Sequence, residues 1–121
     1  MKLEELNVYT LSMEMAEKIW SIVINWDSFA KDTIGKQLVR AADSIAANIG
    51  EGFGRYHYKE NMHFNYYSRA SLYETKIWLT KAHYRNLIRT EDFDPLISQI
   101  DTIGIKLNNY IKTIGKTQTT K

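Results

Sequence analysis

Arg40-Ala-Ala-Asp-Ser-Ile-Ala-Ala-Asn-Ile-Gly-Glu-Gly-Phe-Gly-Arg55 is the stretch on which the fold turns. Ala41, Ile45, Ile49 and Phe53 recur every four residues, the spacing of one helical face. Ala42, Ser44, Ala46, Ala47 and Gly50 surround that seam with small side chains, which let neighbouring helix backbones come close. Gly50, Gly52 and Gly54 then mark the end. Glycine weakens a helix interior by about 1 kcal/mol and readily takes a left-handed C-cap conformation. The stretch therefore reads as the second half of a central packing helix.

Working outward, punctuation is sparse. There is one proline, Pro95, and there are six glycines, with no alternating β-branched runs. Long helices are predicted over 4–26, 29–53, 59–89 and 95–114, in a single domain, with residues 115–121 as a frayed tail. In the first helix Val8, Leu11, Met15, Ile19, Ile22 and Trp26 form a seam, and Tyr9, Met13, Trp20 and Ile24 form a second arc. Asp27-Ser28 supplies a turn and N-cap. Ile34 and Leu38 start the seam of the second helix.

The third helix also shows two apolar faces. One holds Tyr66, Ala70, Tyr73, Ile77, Tyr84 and Ile88, and the other Phe64, Tyr67, Leu72, Trp78, Leu79 and Ala82. Asp94 and Pro95 are placed to start the fourth helix. Leu96, Ile100, Ile103, Leu107, Ile111 and Ile114 line its one apolar face, as on an outer helix. Short connections between four helices predict an all-α, antiparallel up-down-up-down four-helix bundle. The second apolar faces of the first and third helices remain after the bundle closes, so a homo-oligomer is expected.

A turn near His57 sets the register of the central hairpin: residues whose numbers sum to about 114 lie level. Arg40 then meets Glu74, Ser44 meets Ala70, Asn48 meets Tyr66 and Tyr67, and Glu51 meets His63. An Arg40–Glu74 ion pair is expected. Asn48, Glu51, Gly52 and Arg55 are read as the structural end of the second helix rather than a ligand loop.

The totals limit function. At 121 residues the chain builds a core without staples, and it has no cysteine for disulfide or thiol chemistry. Its start, Met-Lys-Leu-Glu-Glu-Leu, lacks a signal-peptide apolar run, and no stretch approaches the ~20 apolar residues of a membrane span. A cytoplasmic protein with no membrane partner is expected.

Net charge is only +2, but it is unevenly spread. Residues 1–27 carry two basic side chains (Lys2, Lys18) and five acidic ones (Glu4, Glu5, Glu14, Glu17, Asp27). Residues 59–89 carry six basic (Lys59, Arg69, Lys76, Lys81, Arg85, Arg89) and two acidic (Glu60, Glu74). These segments attract each other within or between subunits. Alternatively the basic helix faces an anionic partner. Lys76, Lys81, Arg85, Arg89, Lys112 and Lys116 are the candidate contacts to RNA or DNA phosphate, bound without base reading.

Patterns for catalysis fail on spacing. Gly115-Lys116-Thr117 resembles a P-loop end, but Tyr110 stands where that loop needs glycine and no strand leads in. Gly50-Glu51-Gly52-Phe53-Gly54 has the wrong spacing for a dinucleotide fingerprint. Glu60-Asn-Met-His63 matches one Glu-x-x-His unit of a di-iron bundle, which needs two such units and two further glutamates. The three histidines lack zinc spacing. No nucleophile with its base is indicated. A protein without catalytic residues, metal or cofactor is expected. A metal-dependent bundle enzyme is the reading it displaces.

The run Arg40-x-x-Asp-Ser-Ile-x-x-Asn-Ile-x-Glu-Gly-x-Gly-Arg55, followed by an aromatic residue and Ala70-Ser-Leu-Tyr-Glu74, resembles the 23S rRNA-intervening sequence proteins, over nearly the whole chain. That family looks related to the accessory variability proteins of diversity-generating retroelements. The resemblance implies a four-helix bundle, a ring-like homopentamer and no known catalysis. The retroelement relatives are strongly basic and bind nucleic acid and a reverse transcriptase; this chain, at +2, departs from them there. Two functions are thus expected to compete: a non-enzymatic oligomeric scaffold or interaction module with RNA or ribonucleoprotein as client, and a nucleic-acid binder acting through the third helix and the C-terminus.

Overall fold

The computed structural model describes residues 1–119 and the side chains of residues 1–115. Four helices and a short leading 3₁₀ turn, Leu3–Glu5, make up the described chain, with no strand among the described residues. Helix α1 is Asn7–Val23. Helix α2 is composite: an α-turn Ser28–Ala30, a π-helical turn Lys31–Gly35 and an α-helix Lys36–Phe53. Helices α3 and α4 are Tyr58–Tyr84 and Thr90–Thr119. Each helix packs on its sequence neighbours, α1 also packs on α4, and α2–α3 is the most extensive pairing. That is the closed square of a four-helix bundle.

The predicted seams form the core. Met15, Ile19, Leu38, Ile45, Ile49, Leu79, Ile103 and Leu107 are fully buried. All six residues of the predicted α4 face, Leu96 to Ile114, are buried too. The core face of α3 matches one of its two expected apolar faces in part. Leu72, Leu79 and Ala82 of that face are buried, alternating with Asn65, Ser68 and Thr75, whereas Tyr67 is exposed. The three polar side chains find partners locally or across the hairpin. Thr75 Oγ1 donates to the Ser71 carbonyl (2.8 Å), Asn65 Nδ2 to the Asn61 carbonyl (2.8 Å), and Ser68 Oγ to the Ile45 carbonyl of α2 (2.8 Å).

Several helix ends differ from the sequence expectation, and α1 starts at Asn7 rather than residue 4. Helix α1 stops at Val23, not residue 26, because the chain turns so that Asp27 caps α2 and accepts from the Ala30 N–H (2.9 Å). Helix α3 stops at Tyr84, not 89. Asn86 adopts a left-handed φ of 61°, and the Leu87 N–H closes back on the Ala82 carbonyl (2.9 Å), the Schellman arrangement. Helix α4 starts at Thr90, one turn before the expected Asp94-Pro95 start, so Pro95 lies inside it. It also continues through Thr119, beyond the expected end at 114.

The end of α2 is made differently from the expectation as well. No glycine among the described residues has a positive φ, and the C-cap Gly54 has φ −77°. Glycine is needed there for space. A Cβ on Gly52 would lie 2.7 Å from Asn61 Oδ1 and 3.0 Å from Phe64 Cβ, so α3 crosses directly over this backbone. Gly35 does the same at the other end of α2, where a Cβ would sit 2.9 Å from Val23 Cγ1 of α1.

Candidate functional site

The hairpin register is close to the expected one. Ser68 bonds Ile45, and Gly52 abuts Asn61, so level residues sum to about 113. Register fixes height along a helix but not direction around it. Arg40 and Glu74 are both exposed and form no ion pair, contrary to expectation. Glu74 instead accepts from Trp78 Nε1 on its own helix (3.3 Å).

Glu51 likewise turns from His63 to Arg55 (3.3 Å). Arg55 also reaches Glu60 (3.6 Å) at the start of α3 and lies 4.9 Å over the Phe64 ring. It thereby ties the two helix ends together. Asn48 Nδ2 donates to the Ser44 carbonyl (2.8 Å). Asn48 therefore bonds within α2, and Arg55 is the residue of this group that reaches α3.

The five candidate nucleic-acid residues with described side chains, Lys76, Lys81, Arg85, Arg89 and Lys112, are not brought into one patch. Lys76 pairs with Asp101 (3.5 Å) and Arg89 with Asp92 (3.4 Å). Lys81 and Arg85 are exposed and have no carboxylate partner among the described residues, beside Tyr84, which is 86% exposed. Lys112 is exposed on α4. Helix α4 runs antiparallel to α3, as Lys76–Asp101 and Arg69–Asn108 show, so Lys112 lies at the opposite end of the bundle from Arg85. The Lys116 side chain lies outside the described residues. Glu60 and His63 are both exposed, and among the described residues no three His, Cys, Asp or Glu side chains are grouped to hold a metal ion.

Two apolar tracts remain open on different sides of the bundle. The first is a groove between α1 and α2. Tyr9, Met13, Glu17, Asp43, Ala46, Ala47 and Gly50 line one part, enclosing about 860 Å³. Trp20, Ile24, Lys36, Val39 and Arg40 line its continuation. Met13, Trp20 and Ile24, the predicted second arc, are 43–50% exposed. Of the small residues of α2, Ala42 and Ala46 are buried, as expected of a helix enclosed by its neighbours, whereas Ala47 is exposed and leaves this groove open.

The second tract is the outer face of α3, where Tyr66, Ala70, Tyr73, Ile77 and Tyr84 are all exposed, Tyr73 and Ile77 at 67% and 60%. Ile105 of α4 extends it (66% exposed). Within the groove the Asp43 carboxyl is held above its usual range, first by burial of part of the group and then by the neighbouring Glu17 charge.

Residues 4–109 match the family model of the 23S rRNA-intervening sequence protein. No curated protein matches the chain. A crystal structure from Bacteroides thetaiotaomicron VPI-5482, described as a protein of unknown function from the S23 ribosomal protein family, is similar in fold. Its TM-score is 0.77 at 23% identity, covering 87% of this chain and 98% of that one. No helix among the described residues is long and apolar enough to cross a membrane.

Proposed function

This chain belongs to the 23S rRNA-intervening sequence protein family, and from that starting point we propose that it is a non-enzymatic, homo-oligomeric bundle serving as a scaffold or interaction module. One observation carries this reading: two large apolar tracts, on different sides of a folded protomer, stand open to water. Contiguous exposed apolar surface of this extent marks association. The inner face of the α2–α3 hairpin is taken up in packing, through Ala41, Ala42, Ile45, Ile49 and Gly52, which favours a structural role for the signature stretch. A pentamer is the assembly that the family resemblance suggests. Sedimentation velocity tests the reading. An assembly several times the 14.1 kDa chain at micromolar concentration supports it, and a 14.1 kDa particle overturns it.

RNA or a ribonucleoprotein is the client we propose, and the family name is one support. The other is Arg85 at the end of α3, which is exposed and has no carboxylate partner among the described residues. A guanidinium there suits phosphate. Ring-wise repetition would multiply so small a patch. A nucleic-acid binder proper would act through basic residues of α3 and the C-terminus, without assembly. Gel shift at two salt concentrations, with the wild type and Arg85→Ala, measures both. Absence of any shift at low salt removes nucleic acid as the client.

A further inference from the structure

We propose that the α1/α2 groove is the docking site for the α3 stripe of a second copy of this chain, so that assembly proceeds head to tail. This rests on the homo-oligomeric reading above and specifies which surfaces meet. The first argument is shape. The groove is concave, with Ala46, Ala47 and Gly50 as its floor, whereas the stripe projects Tyr73, Ile77 and Tyr84 outward. Two grooves cannot fill each other and two stripes cannot interdigitate as deeply, but a stripe fills a groove. Lengths agree as well. At about 1.5 Å per residue, Tyr9 to Ile24 spans about 22 Å and Tyr66 to Tyr84 about 27 Å.

Charge makes the choice of occupant more specific. Glu17 and Asp43 face the groove together and neither has a cationic partner among the described residues. Lys36 and Arg40 stand further along the same groove, also unpaired. The flank of the stripe carries Lys81, a cation without a carboxylate partner among the described residues. A closed ring keeps every protomer the same way up, and α2 and α3 run antiparallel within a protomer, so α3 of the second copy runs antiparallel to α2. One antiparallel register sets Lys81 against Asp43 and lays Ile77 over Ala47. Because groove and stripe lie on different sides of the protomer, the contact is heterologous and leaves one free groove and one free stripe on any open chain of subunits.

The test uses two variants, each lacking one surface. Trp20→Glu/Ala47→Arg blocks the groove, and Tyr73→Glu/Ile77→Glu blocks the stripe. All four positions are exposed in the protomer, and circular dichroism melting checks that each variant folds. Met13→Glu is a second groove variant should the first melt early. Each variant alone is expected to sediment as a monomer. An equimolar mixture has one intact groove and one intact stripe, and is expected to give a 1:1 heterodimer and nothing larger. In addition, Lys81→Glu or Asp43→Lys alone is expected to weaken assembly by about threefold or more, and Lys81→Glu/Asp43→Lys to restore much of it. If the wild type assembles but a single-surface variant still assembles like it, or the mixture stays monomeric, the docking proposal is overturned while the homo-oligomer stands. A monomeric wild type overturns both.

Discussion

Ser68 Oγ donates to the Ile45 carbonyl at 2.8 Å, a bond between two fully buried residues on α3 and α2. The hydroxyl of Ser68 lets the backbones of the hairpin meet where a larger apolar side chain would hold them apart. Replacing Ser68 by Ala removes the bond without adding volume, and a loss of about 1 kcal/mol is expected. Ser68→Leu is expected to cost more, about 1–3 kcal/mol, by overpacking. Urea unfolding of both variants measures this. Equal stability of Ser68→Ala and wild type would show that the bond contributes nothing net.

Two glycines in helices predict opposite signs. Gly52→Ala gains helix propensity but drives a Cβ to within 3.0 Å of both the Asn61 backbone and Phe64 Cβ. A net loss of about 1–3 kcal/mol is expected. Gly104 of α4 has Leu72 Cδ2 at 3.5 Å, an ordinary contact. Gly104→Ala is therefore expected to stabilise by up to about 1 kcal/mol. Thermal melts of the two variants should shift in opposite directions. A shared direction would mean that close approach does not explain Gly52.

Much of this architecture is readable from residue spacing. The seams of α1, α2 and α4 and the level of the hairpin follow from periodicity and turn position, because burial of an apolar face leaves a periodic record. The core face of α3 leaves a partial one, in Leu72, Leu79 and Ala82. Ser68, Thr75 and the amide donor of Asn65 bond backbone carbonyls, while Asn65 Oδ1 is buried without a partner, and the burial of these three cannot be read from polarity. Arg40 and Glu74 show the second limit, since level residues on neighbouring helices meet only if both point inward. Asn86 shows the third. A left-handed Asn closes α3 five residues early, although the residues on either side of it continue to look helical. The open groove was half visible: the second arc of α1 was plain, while the small residues of α2 suit an enclosed helix and a groove floor equally.

Asp43 gives a pH prediction. Its carboxyl has a higher pKa folded than unfolded, so the native protomer holds that proton more tightly. The stability that this group contributes therefore falls as pH rises from the unfolded to the folded value, and the penalty is fully present above the folded value. Asp43→Asn is expected to stabilise the protomer at neutral pH, with the gain shrinking as pH falls through the carboxylate range. The comparison is made in the Tyr73→Glu/Ile77→Glu background, where no second copy occupies the groove. An Asn variant less stable than Asp at neutral pH would contradict the account of that groove.

Arg55 bridges Glu51 and Glu60 while lying over Phe64, but all of its ion-pair partners are exposed. Exposed pairs contribute little, so Arg55→Ala is expected to cost no more than about 1–2 kcal/mol, including the ring contact. The loss should be smaller at high salt for the ionic part only. A larger, salt-independent loss in urea unfolding would assign Arg55 a role in packing the hairpin end.

Sedimentation velocity of the wild-type chain beside the equimolar mixture of groove-blocked and stripe-blocked variants is the most direct test of the central claim. The wild type is expected to assemble, each variant to run at 14.1 kDa, and the mixture to stop at twice that mass. A wild-type particle of 14.1 kDa at micromolar concentration would contradict the account at its root.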